Sequence, residues 1–490
     1  MGRLIGINWK IIVRLLGLLL FIEALFMTVP LVTSLYYGEH DAFAFEVTIA
    51  LTVFMGTLMA FGMRPRRSHM GKREGFLLTS LVWVVFSLFG MVPFLLSDSP
   101  MSVSDAFFEA MSGFTTTGAT VIADMDKVSY GLFMWRATMQ WVGGLGIILF
   151  TLAVLPMLNS SGGIQMFNAE ATGIIHEKLM PRVSSTAKRL WIVYIVLTFI
   201  LIGLYCLGPM GIFDSVCHAF ATMSTGGFST KADSITTWDS IYVKVVTTIF
   251  MFIGGVNFGL IFKCSTGDFK SLWRNQTFKV YLLAILGVFV IFDISLFFDN
   301  NVPHTIEKFT VDSLFQIIAI MSSTGYMISD FPEWGLVPLA FVLIMMFFGA
   351  CAGSTSGGAK LDRAVFLLKN THNELYRCIY PNHIRSVSFH GKAASPELIN
   401  KVMVFLGLYV MLIIAGTIVM ASFDIPLVDS FYSSMSCVTN ANFSATITDF
   451  SSSYTDLPAV CKWFMTILML TGRLEVFTVL VILTPTFWNK

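Results

Sequence analysis

The sequence predicts an all-α integral membrane protein, in which an N-terminal helical hairpin precedes four pseudo-repeated helix–pore helix–helix units around a central pore. The first reason is composition, because 55% of the 490 residues are hydrophobic and only 12% are charged. Mean hydropathy is +0.75. The second reason is a series of long apolar segments, since roughly 20 apolar residues cross a bilayer. The third is a fifteen-residue stretch that occurs four times, as expected of a repeated supersecondary unit.

The apolar segments divide the chain into the hairpin and the four units. The hairpin covers residues 1–63, and the units cover residues 75–157, 190–262, 278–378 and 396–490. Loops between the units are rich in Lys and Arg, whereas loops within the units carry Asp. Because positively charged loops stay in the cytoplasm, both termini are predicted to be cytoplasmic. The first apolar segment has no small-residue cleavage site, so we interpret it as a retained membrane helix rather than a removed signal.

Each copy of the repeat starts with Asp and ends in a short polar tail. The copies read DAFFEAMSGFTTTGA, DSVCHAFATMSTGGF, DSLFQIIAIMSSTGY and DSFYSSMSCVTNANF, from Asp105, Asp214, Asp312 and Asp429. Asp is a preferred helix N-cap residue, and the ten residues that follow form a helix of roughly 15 Å, half the thickness of the bilayer core. Such a helix points the negative end of its dipole into the membrane, where it favours a cation.

The tail of each repeat predicts a cation-binding backbone. Gly permits the positive φ angles that turn successive carbonyl groups to one side, and rings of backbone carbonyls can replace the hydration shell of an ion. Four such tails around one axis would form a cation filter. The alternative is that Ser-Thr-Gly strings are ordinary loops between membrane helices. Four copies in register, each between long apolar segments, favour the filter.

Small residues interrupt the second helix of the third unit. The run Gly349-Ala-Cys-Ala-Gly353-Ser-Thr-Ser-Gly357-Gly358 contains too many glycines to persist as a helix. Irregular backbone is tolerated at membrane depth only where protein buries it or where it lines a water-filled cavity. We therefore predict a mobile plug under the filter. The alternative is a cytoplasmic turn after the helix.

The second helices of the other units contain glycine pairs or charged residues. Glycines at 143–144 and 254–255 are interpreted as sites of close helix packing. In the fourth unit, Arg473 and Glu475 lie inside a long apolar run. A charged residue within a membrane is costly and marks a functional site by default, so Arg473 is a candidate electrostatic gate beside a cation path. The alternative is a structural ion pair between Arg473 and Glu475.

Several functional classes are disfavoured. A net charge of +1 excludes a strongly basic nucleic-acid-binding protein. The seven cysteines are scattered and show no CxxC or Cys/His metal spacing. An enzyme is disfavoured because the sequence has no HExxH or GxSxG motif and no paired carboxylates within the apolar segments. The remaining rival is a secondary transporter coupled to H⁺ or Na⁺, although such proteins use two-fold repeats.

The four repeats, the glycine-rich interruption and the GRLE sequence at 472–475 together resemble the Trk/Ktr/HKT superfamily of potassium transporters over essentially the whole chain. The N-terminal hairpin makes the chain similar to the longer bacterial membrane subunits of that superfamily. The resemblance implies potassium uptake through a selective pore in the bacterial cytoplasmic (inner) membrane. It also implies a homodimer that binds a TrkA-like cytoplasmic regulatory subunit. A nucleotide (ATP/ADP or NAD) is expected only on that partner, and potassium is the one ligand expected here.

The resemblance also assigns candidate site residues. The filter residues, whose carbonyls would bind potassium, are Thr116, Thr117, Gly118, Thr225, Gly226, Gly227, Ser323, Thr324, Gly325, Asn440, Ala441 and Asn442. The gate residues are Gly349, Gly353, Ser354, Thr355, Gly357, Gly358 and Arg473. Asn442 departs from the pattern, because the superfamily usually has Gly there. We expect Asn442 to adopt the left-handed backbone that Asn tolerates, with its side chain directed away from the axis, and to weaken cation discrimination.

Overall fold

The computed structural model describes residues 7–62, 70–144, 146, 183–297, 305, 307–328, 336–380, 387–389, 392–442 and 454–488. Within these residues the chain consists of helices, loops and one antiparallel pair of two-residue strands, β1 (Ser388–Phe389) and β2 (Lys392–Ala393). Ser388 is paired with Ala393 and Phe389 with Lys392. The prediction of an all-helical protein is confirmed in this broad form.

The helices follow one another with short connections through most of the described chain. They are α1 Trp9–Tyr37, α2 Ala42–Gly62, α3 Lys72–Gly90, α4 Val92–Leu96, α5 Val103–Phe114, α6 Tyr130–Gly144, α7 Val183–Cys206, α8 Ile212–Met223, α9 Ile241–Gly255, α10 Phe258–Ser265, α11 Lys270–Arg274, α12 Gln276–Phe297, α13 Ser313–Met321, α14 Leu336–Phe348, α15 Leu361–Ile379, α16 Pro396–Ala421, α17 Leu427–Thr439, α18 Ala459–Arg473, α19 Phe477–Leu483 and α20 Pro485–Trp488. Short 3-10 turns lie at Met125–Lys127, Ser234–Trp238 and Tyr454–Asp456, and a π-helical turn lies at Lys308–Asp312.

Six helical segments of the described chain are long and apolar enough to cross a membrane. They are α1, α2, α3 continued by α4, α7 from Lys188, α12 and α16. The number rises to eight if two bent pairs, α9 with α10 and α18 with α19, each count as one span. The chain is therefore a membrane protein, as its composition predicts.

The second helix of the second unit is not continuous, contrary to the prediction. α9 and α10 meet at an angle of 105°. Val256 has an extended backbone, and Asn257 starts a new helix because its Oδ1 accepts hydrogen bonds from the N–H groups of Gly259 and Leu260 at 2.8 and 3.3 Å. Asn is a strong N-cap residue for this reason. The glycines at 254–255 thus precede a break in the helix.

The second helix of the fourth unit is also broken where the sequence predicts one apolar run. α18 and α19 meet at 120°. Glu475 and Val476, between them, have positive φ angles of 54° and 30°. Such angles are rare for residues other than Gly and are strained for a β-branched residue, so the surrounding packing must impose this bend.

Four short helices, α5, α8, α13 and α17, coincide with the repeats, but the repeat Asp is not their N-cap in three cases. In α5 the N-cap is Ser102, whose Oγ accepts from the N–H of Asp105 at 3.2 Å and donates to its carboxylate at 2.8 Å. Asp214 and Asp429 likewise lie in the first helical turn. Asp312 alone immediately precedes its helix, but it makes no side-chain cap hydrogen bond, because the π-helical turn Lys308–Asp312 runs directly into α13. A carboxylate in the first turn still complements the positive end of the helix dipole.

Parts of the predicted units lie outside the described residues. They are residues 1–6 and 63 of the hairpin, 145 and 147–157 of the first unit, 298–304, 306 and 329–335 of the third unit, and 443–453 and 489–490 of the fourth. All the predicted filter and gate residues are described.

Candidate functional site

The four predicted filter loops leave their short helices in the same backbone conformation. We number them loop 1 (residues 116–118), loop 2 (225–227), loop 3 (323–325) and loop 4 (440–442), and together call them the ring. The first residues, Thr116, Thr225, Ser323 and Asn440, have φ angles of 55°, 55°, 61° and 49°. The third residues of loops 1 to 3, Gly118, Gly227 and Gly325, have φ angles of 79°, 75° and 72°. Loops 1 to 3 therefore share one pattern, in which the first and third residues have a left-handed backbone and the second residue does not.

Loops 1, 2 and 3 approach one another closely because the third residue of each is a glycine, which has no side chain. A Cβ atom on Gly118 would meet the carbonyl oxygen of Gly226 in loop 2. One on Gly227 would meet the carbonyl oxygen of Thr324 in loop 3. Each glycine is thus required both by its positive φ and by the approach of the next loop.

Loop 4 closes the ring. A Cβ atom on Gly325 would meet the carbonyl oxygen of Asn442, so loop 3 adjoins loop 4. Asn440 donates from Nδ2 to Thr117 Oγ1 at 2.9 Å, so loop 4 adjoins loop 1. The order around the ring is therefore 1, 2, 3, 4, and loops 2 and 4 lie opposite each other.

The expectations for the backbone and side chain of Asn442 are wrong. Asn442 is not among the residues with a positive φ, and its side chain does not turn away from the other loops. Its Nδ2 instead donates to the carbonyl oxygen of Gly227 at 3.1 Å. Without the left-handed conformation of the three glycines, this position directs its side chain across the ring.

A buried ion pair between Glu109 and Arg136 stabilises the segment that follows loop 1. The Arg136 Nε atom lies 2.7 Å from Glu109 Oε1, with side chains 1% and 0% exposed. The Glu109 carboxylate also accepts from Thr120 Oγ1 and from the N–H of Val121, each at 3.0 Å. The Arg136 guanidinium lies 4.1 Å from the centre of the Phe228 ring, just after loop 2. The pair therefore connects the segments that follow the first two loops.

Gln140 fixes loop 2 through its backbone. Its Nε2 donates to the carbonyl oxygen of Gly226 at 2.8 Å, and its Oε1 accepts from the N–H of Phe228 at 3.2 Å. The Gly226 carbonyl is thus bonded to protein.

The glycine-rich segment (residues 349–358) lies against the ends of loops 2 and 3 nearest their helices. Thr225 Oγ1 donates to Thr355 Oγ1 at 3.3 Å, and the N–H of Gly357 donates to Ser323 Oγ at 2.6 Å. The N–H of Gly358 donates to the carbonyl oxygen of Thr439, directly before loop 4, at 2.8 Å. The segment is therefore attached to three of the four loops on one side of the ring.

The glycine-rich segment also joins the break in the second unit. The N–H of Phe258 donates to the carbonyl oxygen of Gly353 at 3.0 Å, and Asn257 Nδ2 donates to that of Ala352 at 2.6 Å. Ser354 Oγ lies 2.7 Å from Ser356 Oγ. The bend between α9 and α10 and the irregular backbone of the third unit thus satisfy each other's hydrogen-bonding groups, as buried backbone requires.

Arg473 connects this segment to the first unit. Its Nη1 donates to the carbonyl oxygen of Thr355 at 3.0 Å, and its Nη2 donates to that of Gly143 at 2.9 Å. Glu475, two residues on, forms an ion pair with Arg363 at 2.5 Å. Arg473 therefore spans the space under the ring, between the glycine-rich segment and α6.

A cavity of about 60 Å³ lies at this place, large enough for a few water molecules. Its charged lining residues are Lys360, Arg363, Arg473 and Glu475. Lys360 donates to Ser356, at its carbonyl oxygen and its Oγ. The guanidinium groups of Arg363 and Arg473 outnumber the single carboxylate of Glu475, and this excess of positive charge makes the cavity unfavourable for a cation at rest.

Two further ion pairs connect neighbouring units at the repeat Asp residues. Lys462 Nζ lies 2.5 Å from Asp105 Oδ1, and Lys244 Nζ lies 2.9 Å from Asp312 Oδ1. Both lysines lie in second helices, α18 and α9, and both side chains are nearly buried. The first pair joins the fourth unit to the first, and the second joins the second unit to the third.

Sequence reasoning did not single out Glu109, Arg136, Lys244, Lys360 or Lys462. The available signal was the same one that identified Arg473, a charged residue within an apolar segment. Partners distant in the sequence could not be inferred from spacing.

Comparison with known proteins covers nearly the whole chain. The profile of the TrkH family, described as cation transport protein, matches residues 41–489. The Trk system potassium uptake protein TrkH of Escherichia coli K12 is 32% identical over 486 residues, 99% of this chain and 100% of the relative. TrkH of Halomonas elongata is 34% identical over 494 residues, 98% and 99% of the two chains. The crystal structure of the potassium transporter TrkH from Vibrio parahaemolyticus matches with a TM-score of 0.89 and 30% identity, covering 99% of this chain and 100% of the other.

Proposed function

The chain belongs to the TrkH family of cation transport proteins, and from that premise we propose that it carries potassium across a membrane through the ring. The four helix–loop units then surround a central pore, with the ring as its filter. The observation that carries the proposal is the closed contact of four loops with left-handed residues at matching positions. Backbone carbonyls arranged in this way can replace the hydration shell of a cation. Potassium is favoured because the relatives are named potassium uptake proteins.

The glycine-rich segment and Arg473 form the gate of this pore. The segment supports this role by contacting three loops of the ring, and Arg473 by placing a positive charge under it. The Lys360 amine, which donates to Ser356 in the same cavity, is a further group on this path. A cation that leaves the ring on this side must pass these groups, so movement of the segment would open the path.

Regulation and assembly belong to the same proposal. A TrkA-like nucleotide-binding subunit binds on the cytoplasmic side, where the short basic helix α11 (Lys270–Arg274) and helix α15 are available. The protein lies in the bacterial inner membrane as a homodimer with cytoplasmic termini. The relatives' names, which refer to a Trk system, support a multi-component arrangement.

Flux through purified protein in liposomes tests the function. Vesicles loaded with potassium chloride and diluted into low-potassium buffer should accumulate tracer ⁸⁶Rb⁺ down the resulting potential, and protein-free vesicles should not. Uptake that needs only the potential supports a pore. Uptake that stops without a Na⁺ or H⁺ gradient would support the rival, an ion-coupled symporter. No uptake under either condition would overturn the proposal.

Arg473→Ala is expected to raise cation flux on the order of tenfold. A tenfold change corresponds to about 1.4 kcal/mol. This is less than the roughly 4 kcal/mol of a unit charge at about 4 Å and an effective dielectric constant of 20, because the cavity beside the guanidinium has room for water that screens the charge. Initial rates of tracer uptake in liposomes measure the effect. Arg473→Lys keeps the charge and should stay near the native rate. An Ala variant that folds but conducts like the native chain would contradict the electrostatic role.

Removing residues 354–356 is expected to raise flux several-fold by shortening the gate. These residues carry the contacts of Thr355 with loop 2 and with Arg473, so their loss should free the segment from the ring. The matched control removes residues 266–268, an exposed turn between α10 and α11, and should leave flux unchanged. Unchanged flux in a deletion variant with native thermal stability would show that the segment is not a gate.

A further inference from the structure

The side chain of Asn442 occupies a place that no other loop residue of the ring shares. Loops 2 and 4 are opposite in the ring, since the contacts described above run from loop 1 to 2, 2 to 3, 3 to 4 and 4 to 1. The bond from Asn442 Nδ2 to the Gly227 carbonyl oxygen, at 3.1 Å, therefore crosses the ring. This bond joins opposite loops, whereas the other contacts join adjacent loops.

The same side chain also lies beside the two remaining loops. Its Cβ is 2.6 Å from the position that a Cβ on Gly118 would take, and equally close to the corresponding position on Gly325. One side chain thus approaches the third residue of every other loop. Three glycines with no side chain leave a central space, and the side chain of Asn442 fills it.

Asn442 lies at the end of the ring that faces away from the glycine-rich segment. That segment contacts Thr225 and Ser323, the first residues of their loops, whereas Asn442 is the third residue of loop 4. Asn442 is partly exposed, while the preceding Asn440 and Ala441 are buried. The side chain is therefore placed at an open end of the ring, where a cation would enter or leave.

We propose that the Asn442 side chain is a cap, which closes the far end of the ring by its cross-ring hydrogen bond and must swing aside for each cation that passes. The inference rests on the proposed function, because it assumes that cations traverse the ring. The amide has both a donor and an acceptor. Closed, its N–H group occupies the Gly227 carbonyl that a cation would use. Open, its Oδ1 can bind the passing cation in place of water.

The cap affects the rate of passage more than the choice of cation. Every cation must break the same hydrogen bond, whereas discrimination depends on the loop carbonyls that the cation meets once this bond is broken. Removing the side chain in Asn442→Gly should therefore raise potassium and sodium flux by about tenfold each, with little change in their ratio. A tenfold change corresponds to about 1.4 kcal/mol, the scale of one net hydrogen bond.

Three substitutions at this position separate the cap from a merely structural bond. Asn442→Asp keeps the shape but loses the donor, and its carboxylate is repelled by the Gly227 carbonyl, so flux should rise and become sensitive to block by Ca²⁺. Asn442→Leu keeps the bulk without any oxygen for a cation, so flux should fall below native. The comparison variant is Asn440→Asp, which breaks the bond between adjacent loops 4 and 1 and should lower flux.

The readout is ⁸⁶Rb⁺ and ²²Na⁺ uptake into liposomes, with the thermal midpoint of each variant measured in parallel. Increases in Asn442→Gly and Asn442→Asp with a decrease in Asn440→Asp support the cap. A decrease in all of them would show that Asn442 only holds the loops together, and the cap would be wrong. Equal flux in native, Gly, Asp and Leu variants would also overturn it. A native protein without any flux would instead contradict the proposed function.

Discussion

Gly227→Ala is expected to reduce cation uptake by about a hundredfold. A Cβ at this position would meet the backbone carbonyl of Thr324 in the next loop, and the φ of 75° is one that side chains other than Gly rarely adopt. Backbone strain of this kind is on the order of 3 kcal/mol, or about two factors of ten in a rate. Because the obstacle is backbone, loops 2 and 3 must separate to relieve it. Tracer uptake in liposomes measures the loss.

The matched control for this substitution is Gly407→Ala. Gly407 lies in α16 with no atom close enough to meet an added Cβ, and Ala is the better helix former. Flux through this variant should equal native flux. Native flux in Gly227→Ala, with both variants folded, would show that the ring is not the path of the cation.

Glu109→Ala is expected to destabilise the protein by about 3–5 kcal/mol, because it leaves the Arg136 guanidinium buried without its carboxylate. Loop 1 should lose its support at the same time, since Thr120 and Val121 also bond to Glu109. A large drop in the thermal midpoint in detergent, together with reduced flux, is the expected result. Glu109→Gln, which keeps the hydrogen bonds to Thr120 in part, should have a smaller effect.

An exposed ion pair provides the control for the buried one. Asp124 and Lys127 are 2.8 Å apart, but their side chains are 46% and 75% exposed. Asp124→Ala should leave the thermal midpoint close to the native value, because water screens such pairs. If Glu109→Ala lowered the thermal midpoint as little as Asp124→Ala, the ion pair between Glu109 and Arg136 would not stabilise loop 1.

Hydrophobic composition and local repetition are the features that sequence analysis could use. Both depend on residues close together in the chain, so the apolar helices and the four short helices followed from them. The glycines at 118, 227 and 325 have the positive φ that their tails suggested. The segment at 349–358 has an irregular backbone because its small residues do not sustain a helix.

Features that depend on contacts between units could not be predicted. The bend at Val256 requires the Asn257 cap, and it requires the carbonyl oxygens of residues 352–353 to accept hydrogen bonds from Asn257 Nδ2 and from the N–H of Phe258. The bend at Glu475 places a carboxylate beside Arg363, 112 residues away in the chain. The direction of the Asn442 side chain depends on the space left by glycines in three other loops. In each case local preference is overruled by a partner distant in sequence.

The ring is built from four loops of one polypeptide, and its members are unequal at the third position. In an oligomer of identical subunits, symmetry repeats every substitution. A ring of four identical subunits with this Asn would place four side chains in the space that Asn442 fills alone. The free-energy effect of one substitution on the barrier to cation passage would be multiplied about four times. The change in rate would then be raised to the fourth power. In a ring built from one polypeptide, a substitution changes only one of the four loops. Evolution can therefore adjust such a ring one side chain at a time, in steps small enough to keep the other three glycines.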